Sequence, residues 1–273
     1  MMRRTRNRIS MPNLHLQLNR DDDSAFEPPA PLPEEVALEM MRRAEITAAT
    51  LIPWGSNYTF AVALEDEEYG ERLAIYKPRR GEAPLWDFEG GTLYRREHAA
   101  YQLSKRLGWD IVPPTIVRHG PHGVGSVQLY IEPLSGDDEN DDADADFAFW
   151  GAERIEIERI VLFDLISNNA DRKLSHCLRG VDDRIWGIDH GLTFNVEPKL
   201  RTVLWQYNGK AVSPELLADL DRFLEREAEH RVAFREDLRH EEFEVLLQRM
   251  RSIREQEKYP VLDPHVNVPR GWW

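Results

Sequence analysis

Asn168-Asn169-Ala170-Asp171-Arg172-Lys173-Leu174-Ser175-His176, followed by Ile185-Trp186-Gly187-Ile188-Asp189-His190-Gly191, is the part of this sequence that decides the fold. An apolar run, Arg159 to Ile166, has the composition of a buried helix and delivers the first loop with its Asp-Arg pair. A short apolar strand then delivers a second aspartate just before His190-Gly191. Two acids, each at the end of a regular element, suit phosphoryl-transfer chemistry. One orients or deprotonates an acceptor hydroxyl, and the other holds a divalent cation on the phosphates. The bland alternatives are a capping or turn aspartate at 171, favoured by Asn168-Asn169, and an Asp-x-Gly bend at 189.

Upstream, Leu73-Ala74-Ile75-Tyr76-Lys77 reads as a strand stopped by Pro78. Leu93 to Leu107 follows as a helix, with Leu93, Ala100, Leu103 and Leu107 in helical register and Gly108 ending it. A lysine near the end of a strand, with a glutamate on the next helix, is the pair that grips nucleotide phosphates. Lys77 and Glu97 fit that order, although either alone reads as a solvated surface charge. Ile46 to Leu64 reads as two strands around a turn. Its Gly55, Ser56 and Asn57 are small enough for backbone N–H groups to approach phosphate. A plain hairpin turn is the competing reading. Strands are expected at 112–117 and 126–131, and Gln128, Tyr130 and Ile131 fall where a connector toward the second half could read a nucleotide base.

The chain has 273 residues, 41% of them hydrophobic, with eight Trp, enough for a large core. The net charge of −14 argues against general binding to nucleic acid or an anionic membrane. The single cysteine, Cys177, permits no intrachain disulfide, which suits a reducing cytoplasm. No run of about 18 apolar residues is present, so no stable membrane insertion is expected. The basic start lacks an apolar stretch after it, which argues against secretion, and Met11 is an equally good start site.

The expected organisation is a disordered tail at 1–32, a nucleotide-binding half at 33–135, an acidic linker at 136–146, a helical half at 147–257 and a Pro-rich tail at 258–273. A short helix from Pro33 to about Arg43 opens the first half, and helices at 152–167, 213–229 and 240–256 fill the second. Asp142, Asp144, Asp146 and Glu153 mimic the spacing of a calcium loop. Phe147 stands where that loop needs glycine, so a solvated linker is the better reading. Asp171, His176, Asp189 and His190 could also form a metallohydrolase cluster, although no closed set of His or Cys ligands accompanies them.

The ordered set of Lys77, Glu97, the 128–133 connector, Asn169-Ala170-Asp171-Arg172 and Asp189-His190-Gly191 resembles the phosphatidylinositol 3-/4-kinase-like superfamily. That group includes type II phosphatidylinositol 4-kinases and HipA-like bacterial protein kinases. The runs YKPRRGEAPLWDFEGGTLYRRE, LGWDIVPPT, NNADRK, WGIDHGLTF and KLRTVLW are similar to those of a bacterial family within it. The resemblance covers about residues 44 to 250. It implies an α+β, bilobal protein-kinase-like fold, with an antiparallel N-lobe sheet carrying one helix and a mainly helical C-lobe. It further implies ATP and Mg²⁺ (or Mn²⁺) as cofactors, and a protein or small-molecule hydroxyl as acceptor. Lys77 would bind the α/β-phosphates and Glu97 would pair with it. Gly55, Ser56, Asn57, Gln128, Tyr130 and Ile131 would line the nucleotide site. Asp171 with Arg172 would form the catalytic pair, and Asp189 with His176 the metal ligands. His176 stands where the superfamily has Asn, and His190 departs from its usual aromatic residue or Asn. An ATP-binding pseudokinase and an AMP transferase are therefore the alternatives. The Trp-bearing loop from Arg79 to Phe88 is expected either to cover the site or to pack on the helix after it.

Overall fold

The computed structural model describes residues 30–53, 57–134 and 149–269. The expected tail at 1–32, apart from residues 30–32, lies outside these. So do Gly55 and Ser56, the acidic segment with Asp142, Asp144 and Asp146 of the calcium-loop mimic, and the terminal Trp pair, whereas Glu153 of that mimic pairs with Lys210 at 2.6 Å.

The chain opens with helix α1 (Glu34–Arg43), which has acids in its first turn and arginines in its last. Both biases favour a helix, because they oppose the charge developed at its two ends. Five strands follow: β1 (Glu45–Ile52), β2 (Thr59–Asp66), β3 (Gly70–Pro78), β4 (Thr115–Gly120) and β5 (Gly123–Leu129). They form one sheet in the order β1-β2-β3-β5-β4, antiparallel throughout. Helix α2 (Leu93–Leu107) lies between β3 and β4 in sequence. It ends on Gly108 at φ 71°, a left-handed cap that glycine adopts without Cβ strain.

The helical half contains α3 (Ile155–Ser167), α4 (Pro214–Glu225), α5 (Glu227–Phe234) and α6 (His240–Gln256). A small hairpin, β6 (Cys177–Arg179) with β7 (Ile185–Gly187), sits between α3 and α4 in sequence. The helix expected over 213–229 breaks at Arg226. The break orients α5 so that His230 stacks on Phe223 at 4.0 Å between ring centroids. The strand expected at 112–117 begins only at Thr115, because Pro113 and Pro114 have no N–H to give the ladder. Both β4 and β5 instead run on to the turn between Gly120 and Gly123.

Two hydrophobic cores result. Met40 and Met41 of α1 pack with Val62, Leu64, Ala74, Tyr76, Ile116 and Val127 on one face of the sheet. The larger core joins α3, α4 and α6 through Ile160, Phe163, Leu216, Leu220, Leu246 and Met250. It also takes in Ala99, Leu103 and Leu107 of α2. Helix α2 therefore packs into the helical core as well as touching β4 and β5.

Candidate active site

A cleft of about 280 Å³ lies between the sheet and the helical half, walled by residues from both. Strand parity assigns the sheet's contribution. Side chains alternate along β3, so Ala74 and Tyr76 face the α1 core while Ile75 and Lys77 face the cleft. Lys77 sits opposite Ser126 of β5, and the next pair is Pro78 with Gly125. A Cβ on Gly125 would lie 2.4 Å from the Lys77 carbonyl oxygen, so only glycine allows β5 to lie this close at the lysine.

The Lys77 ammonium bonds two carboxylates. Its Nζ lies 2.5 Å from Glu97 Oε1 on α2 and 2.5 Å from Asp189 Oδ1, just beyond β7. The other oxygen of Glu97 accepts the His190 backbone N–H at 3.0 Å, joining α2 to the Asp189 turn. Burial works against the charge on Lys77, but Asp189 and Glu97 outweigh it and raise the ammonium above its ordinary pKa. Burial also works against the Asp189 charge. Lys77 and then His176 outweigh it, holding the carboxyl well below the usual carboxylate range. Asp189 adopts φ 59°, a left-handed conformation uncommon outside glycine. Backbone held this way clusters at functional sites.

The Asp171 loop is built from beneath. Beyond Arg159, helix α3 is an apolar run broken by Asp164, which is buried near its C-terminal end. Arg172 bonds it twice, Nε to Oδ2 at 2.8 Å and Nη2 to Oδ1 at 2.9 Å, and Asn169 donates to it at 2.9 Å. Arg172 also donates to the carbonyls of His176 (2.7 Å) and Ile188 (3.2 Å), and its Nη2 meets His190 Nε2 at 2.8 Å. One guanidinium thus fixes both loops. Asn169 Oδ1 accepts the Asp171 N–H, and Asp171 presents its carboxylate to the cleft, where Lys173 Nζ reaches it at 2.7 Å.

His176 Nδ1 lies 2.9 Å from the Asp171 carbonyl, and its Nε2 lies 3.3 Å from Asp189 Oδ2. Burial holds this imidazole below its ordinary pKa, against the pull of Asp189. Among the described residues no group of three or more His, Cys, Asp or Glu side chains is arranged to hold a metal ion alone. His190 is fully buried against Arg172 and Phe163, which removes it from the metallohydrolase cluster weighed above.

Of the residues singled out from sequence, Asn57, Lys77, Glu97, Gln128, Tyr130, Ile131, Asp171, His176 and Asp189 share the cleft wall. Asn57 also accepts the Ala83 N–H at 2.8 Å, and Gln128 donates to Thr115 at 2.9 Å. Arg172, paired with Asp171 as catalytic, is a correction. Its side chain is fully buried under the loop, outside the wall, so it positions Asp171 and Asp189. The Trp86 loop packs on the start of α2 and on Ala170 through Leu85 and Phe88, leaving Trp86 itself 80% exposed.

Two charged wall residues had no individual role assigned from sequence, Lys173 and Glu82 of the Arg79–Phe88 loop. Lys173 stands two residues after Asp171, and a cation so placed was a readable signal. Glu82 accepts the Tyr94 N–H at the start of α2 with one oxygen. Its other oxygen is buried without a hydrogen-bond partner among the described residues. Asp164 was missed as well, although an acid inside the apolar run Ile160 to Ile166 is itself a signal of a buried polar partner.

An antiparallel sheet joined to a helical half, with a lysine, a helix glutamate and two aspartates in the cleft between, has the plan of a protein-kinase-like fold. The crystal structure of the Golgi casein kinase with Mn/ADP bound shares that fold. It superposes at a TM-score of 0.50 over 81% of this chain and 74% of that one, at 13% identity. A Helicobacter pylori proinflammatory kinase, CtkA, gives 0.46 over 80% of this chain and 94% of its own, at 12% identity. No family model matches the sequence. Protein Rv2133c of Mycobacterium tuberculosis is 39% identical over 203 residues, 63% of this chain and 72% of that protein, and the chain belongs to its family.

Proposed function

We propose that this chain is an ATP-dependent phosphotransferase that moves the γ-phosphoryl group to a protein or small-molecule hydroxyl. The observation that carries this is the Lys77 ammonium held between Glu97 and Asp189 in a cleft that also presents Asp171. The motifs around these residues support placing it in the phosphatidylinositol 3-/4-kinase-like superfamily. A net charge of −14 speaks against an anionic lipid as acceptor. We take 33–135 and 147–257 as the two lobes, and the cytoplasm as its place of action.

Apolar side chains Ile52, Ile75, Leu178 and Ile188, with Tyr130, wall one part of the cleft and offer a flat base an apolar slot. The charged side chains supply the rest of the site. Lys77 offsets charge on the α/β-phosphates, and Glu97 keeps its ammonium in place. Asp189 and His176 would hold a divalent cation, which would neutralise phosphate charge. Asp171 receives the acceptor's proton as the hydroxyl oxygen bonds to the γ-phosphorus. The bond from that phosphorus to the β–γ bridging oxygen breaks, and ADP leaves with the electron pair. Lys173, beside Asp171, faces the negative charge on the transferring group.

His176 in place of Asn favours one other reading, a pseudokinase that binds nucleotide without transfer. Melting temperature with ATP and manganese, together with transfer of label from γ-labelled ATP to protein or water, separates the two. The proposal expects a rise in melting temperature and label transfer that Asp189→Ala abolishes. A rise without transfer supports the pseudokinase, and no rise rejects both.

A further inference from the structure

We propose that His176 makes this site selective for manganese-class divalent cations over magnesium, its Nε2 and Asp189 Oδ2 together forming the protein's share of the metal's ligands. This rests on the nucleotide-binding reading above and adds which cation that reading uses.

The geometry fixes the ring. His176 Nδ1 faces the Asp171 carbonyl at 2.9 Å. A carbonyl oxygen only accepts, so the proton of the neutral ring sits on Nδ1. Its free lone pair is then on Nε2, 3.3 Å from Asp189 Oδ2. The backbone on both sides holds this arrangement: the His176 N–H bonds Lys173 O at 3.1 Å, and the His176 carbonyl accepts from Arg172 at 2.7 Å. Lys77 occupies the other oxygen of Asp189. A lone pair and a carboxylate oxygen facing one another need a positive centre between them. That centre is either a second proton or a metal ion.

The donor pair is one imidazole nitrogen and one carboxylate oxygen. Magnesium demands oxygen ligands and sheds water reluctantly, whereas manganese accepts carboxylate, water and imidazole together. Two donors do not make a complete site, and no third His, Cys, Asp or Glu completes it among the described residues. The remaining ligands must come from phosphate oxygens and water. Manganese binding is therefore expected to depend on nucleotide.

Pulsed electron paramagnetic resonance of Mn²⁺ on the full chain with ADP tests this directly. A directly bound imidazole nitrogen is expected to couple to the manganese, and the coupling is expected to vanish in His176→Asn. Melting-temperature titrations with ADP give a second readout. The parent is expected to bind ADP at least about tenfold more tightly with manganese than with magnesium, and His176→Asn is expected to bring that ratio near one. ADP binding with manganese but without nitrogen coupling in the parent overturns the selectivity assignment and leaves the phosphotransferase reading standing. Failure of ADP to bind with either cation overturns both. The coupling is read on the parent, so a variant that does not fold leaves the test intact.

Discussion

The two halves of this molecule hold the charges that line the cleft by different means. The sheet half holds Lys77 with a backbone ladder. Hydrogen bonds to β2 and β5 fix the strand, Gly125 permits the close approach, and the side chain projects from a regular surface. The helical half holds Asp171 and Asp189 on loops with no ladder of their own. Buried ionic contacts radiating from Arg172 do that work. A ladder survives the loss of one side chain. A buried ionic hub does not, because deleting one partner strands the others away from water.

The sharpest way to break this comparison is at Arg172. Arg172→Met leaves Asp164 buried without its partner and is expected to cost about 3–5 kcal/mol of stability, read from denaturant unfolding. Lys77→Met is expected to cost less than that while abolishing transfer, because one of the two carboxylates it frees, Asp189, is 43% exposed. Equal losses would show that the two halves are held alike. Asp189→Ala is expected to lower turnover by a factor on the order of a thousand and to weaken the nucleotide-dependent rise in melting temperature.

A third test uses acid. His230 in α5 is buried, and burial, reinforced by Arg106, lowers its pKa to about 4. The unfolded chain, near 6.5, binds this proton more readily. Stability is therefore expected to fall as pH drops from about 6.5 toward about 4, by an amount on the order of 2 kcal/mol. Melting scans across that range check it, and His230→Phe should flatten the slope. The effect belongs to the helical half, so probes there should report loss before probes in the sheet. The smallest effect expected is at Trp86. The residue is 80% exposed and its ring meets the Lys199 ammonium at 5.0 Å, so Trp86→Ala should change stability by no more than about 1 kcal/mol in the same unfolding assay.

The same division explains what the sequence made legible. Periodicity and breakers placed Lys77 at a strand end and Glu97 on the next helix, because local hydrogen bonding and side-chain alternation decide both. Asp171 and Asp189 were found by their position after apolar runs. The Arg172 hub was less legible, since its partners at 164, 176, 188 and 190 are joined by tertiary contacts. The motif pointed to a catalytic pairing of Arg172 with Asp171, whereas the place of Arg172 under the wall is set by those distant partners. The break at Arg226 follows from packing of Phe223 against His230, and no proline or glycine announced it. The late start of β4 was readable from Pro113 and Pro114, since neither can donate to a ladder.

Arg96, Glu97 and His98 are consecutive on α2, and all three bond to the helical half. Arg96 pairs with Glu242 at 2.5 Å with both side chains 3% exposed, Glu97 takes the His190 N–H, and His98 meets Asp237 at 2.7 Å. The carboxylate that pairs with Lys77 therefore stands on a helix bonded to the helical half, although the same helix also meets β4 and β5. A regulator that worked by swinging this helix outward would first have to expose a desolvated ion pair.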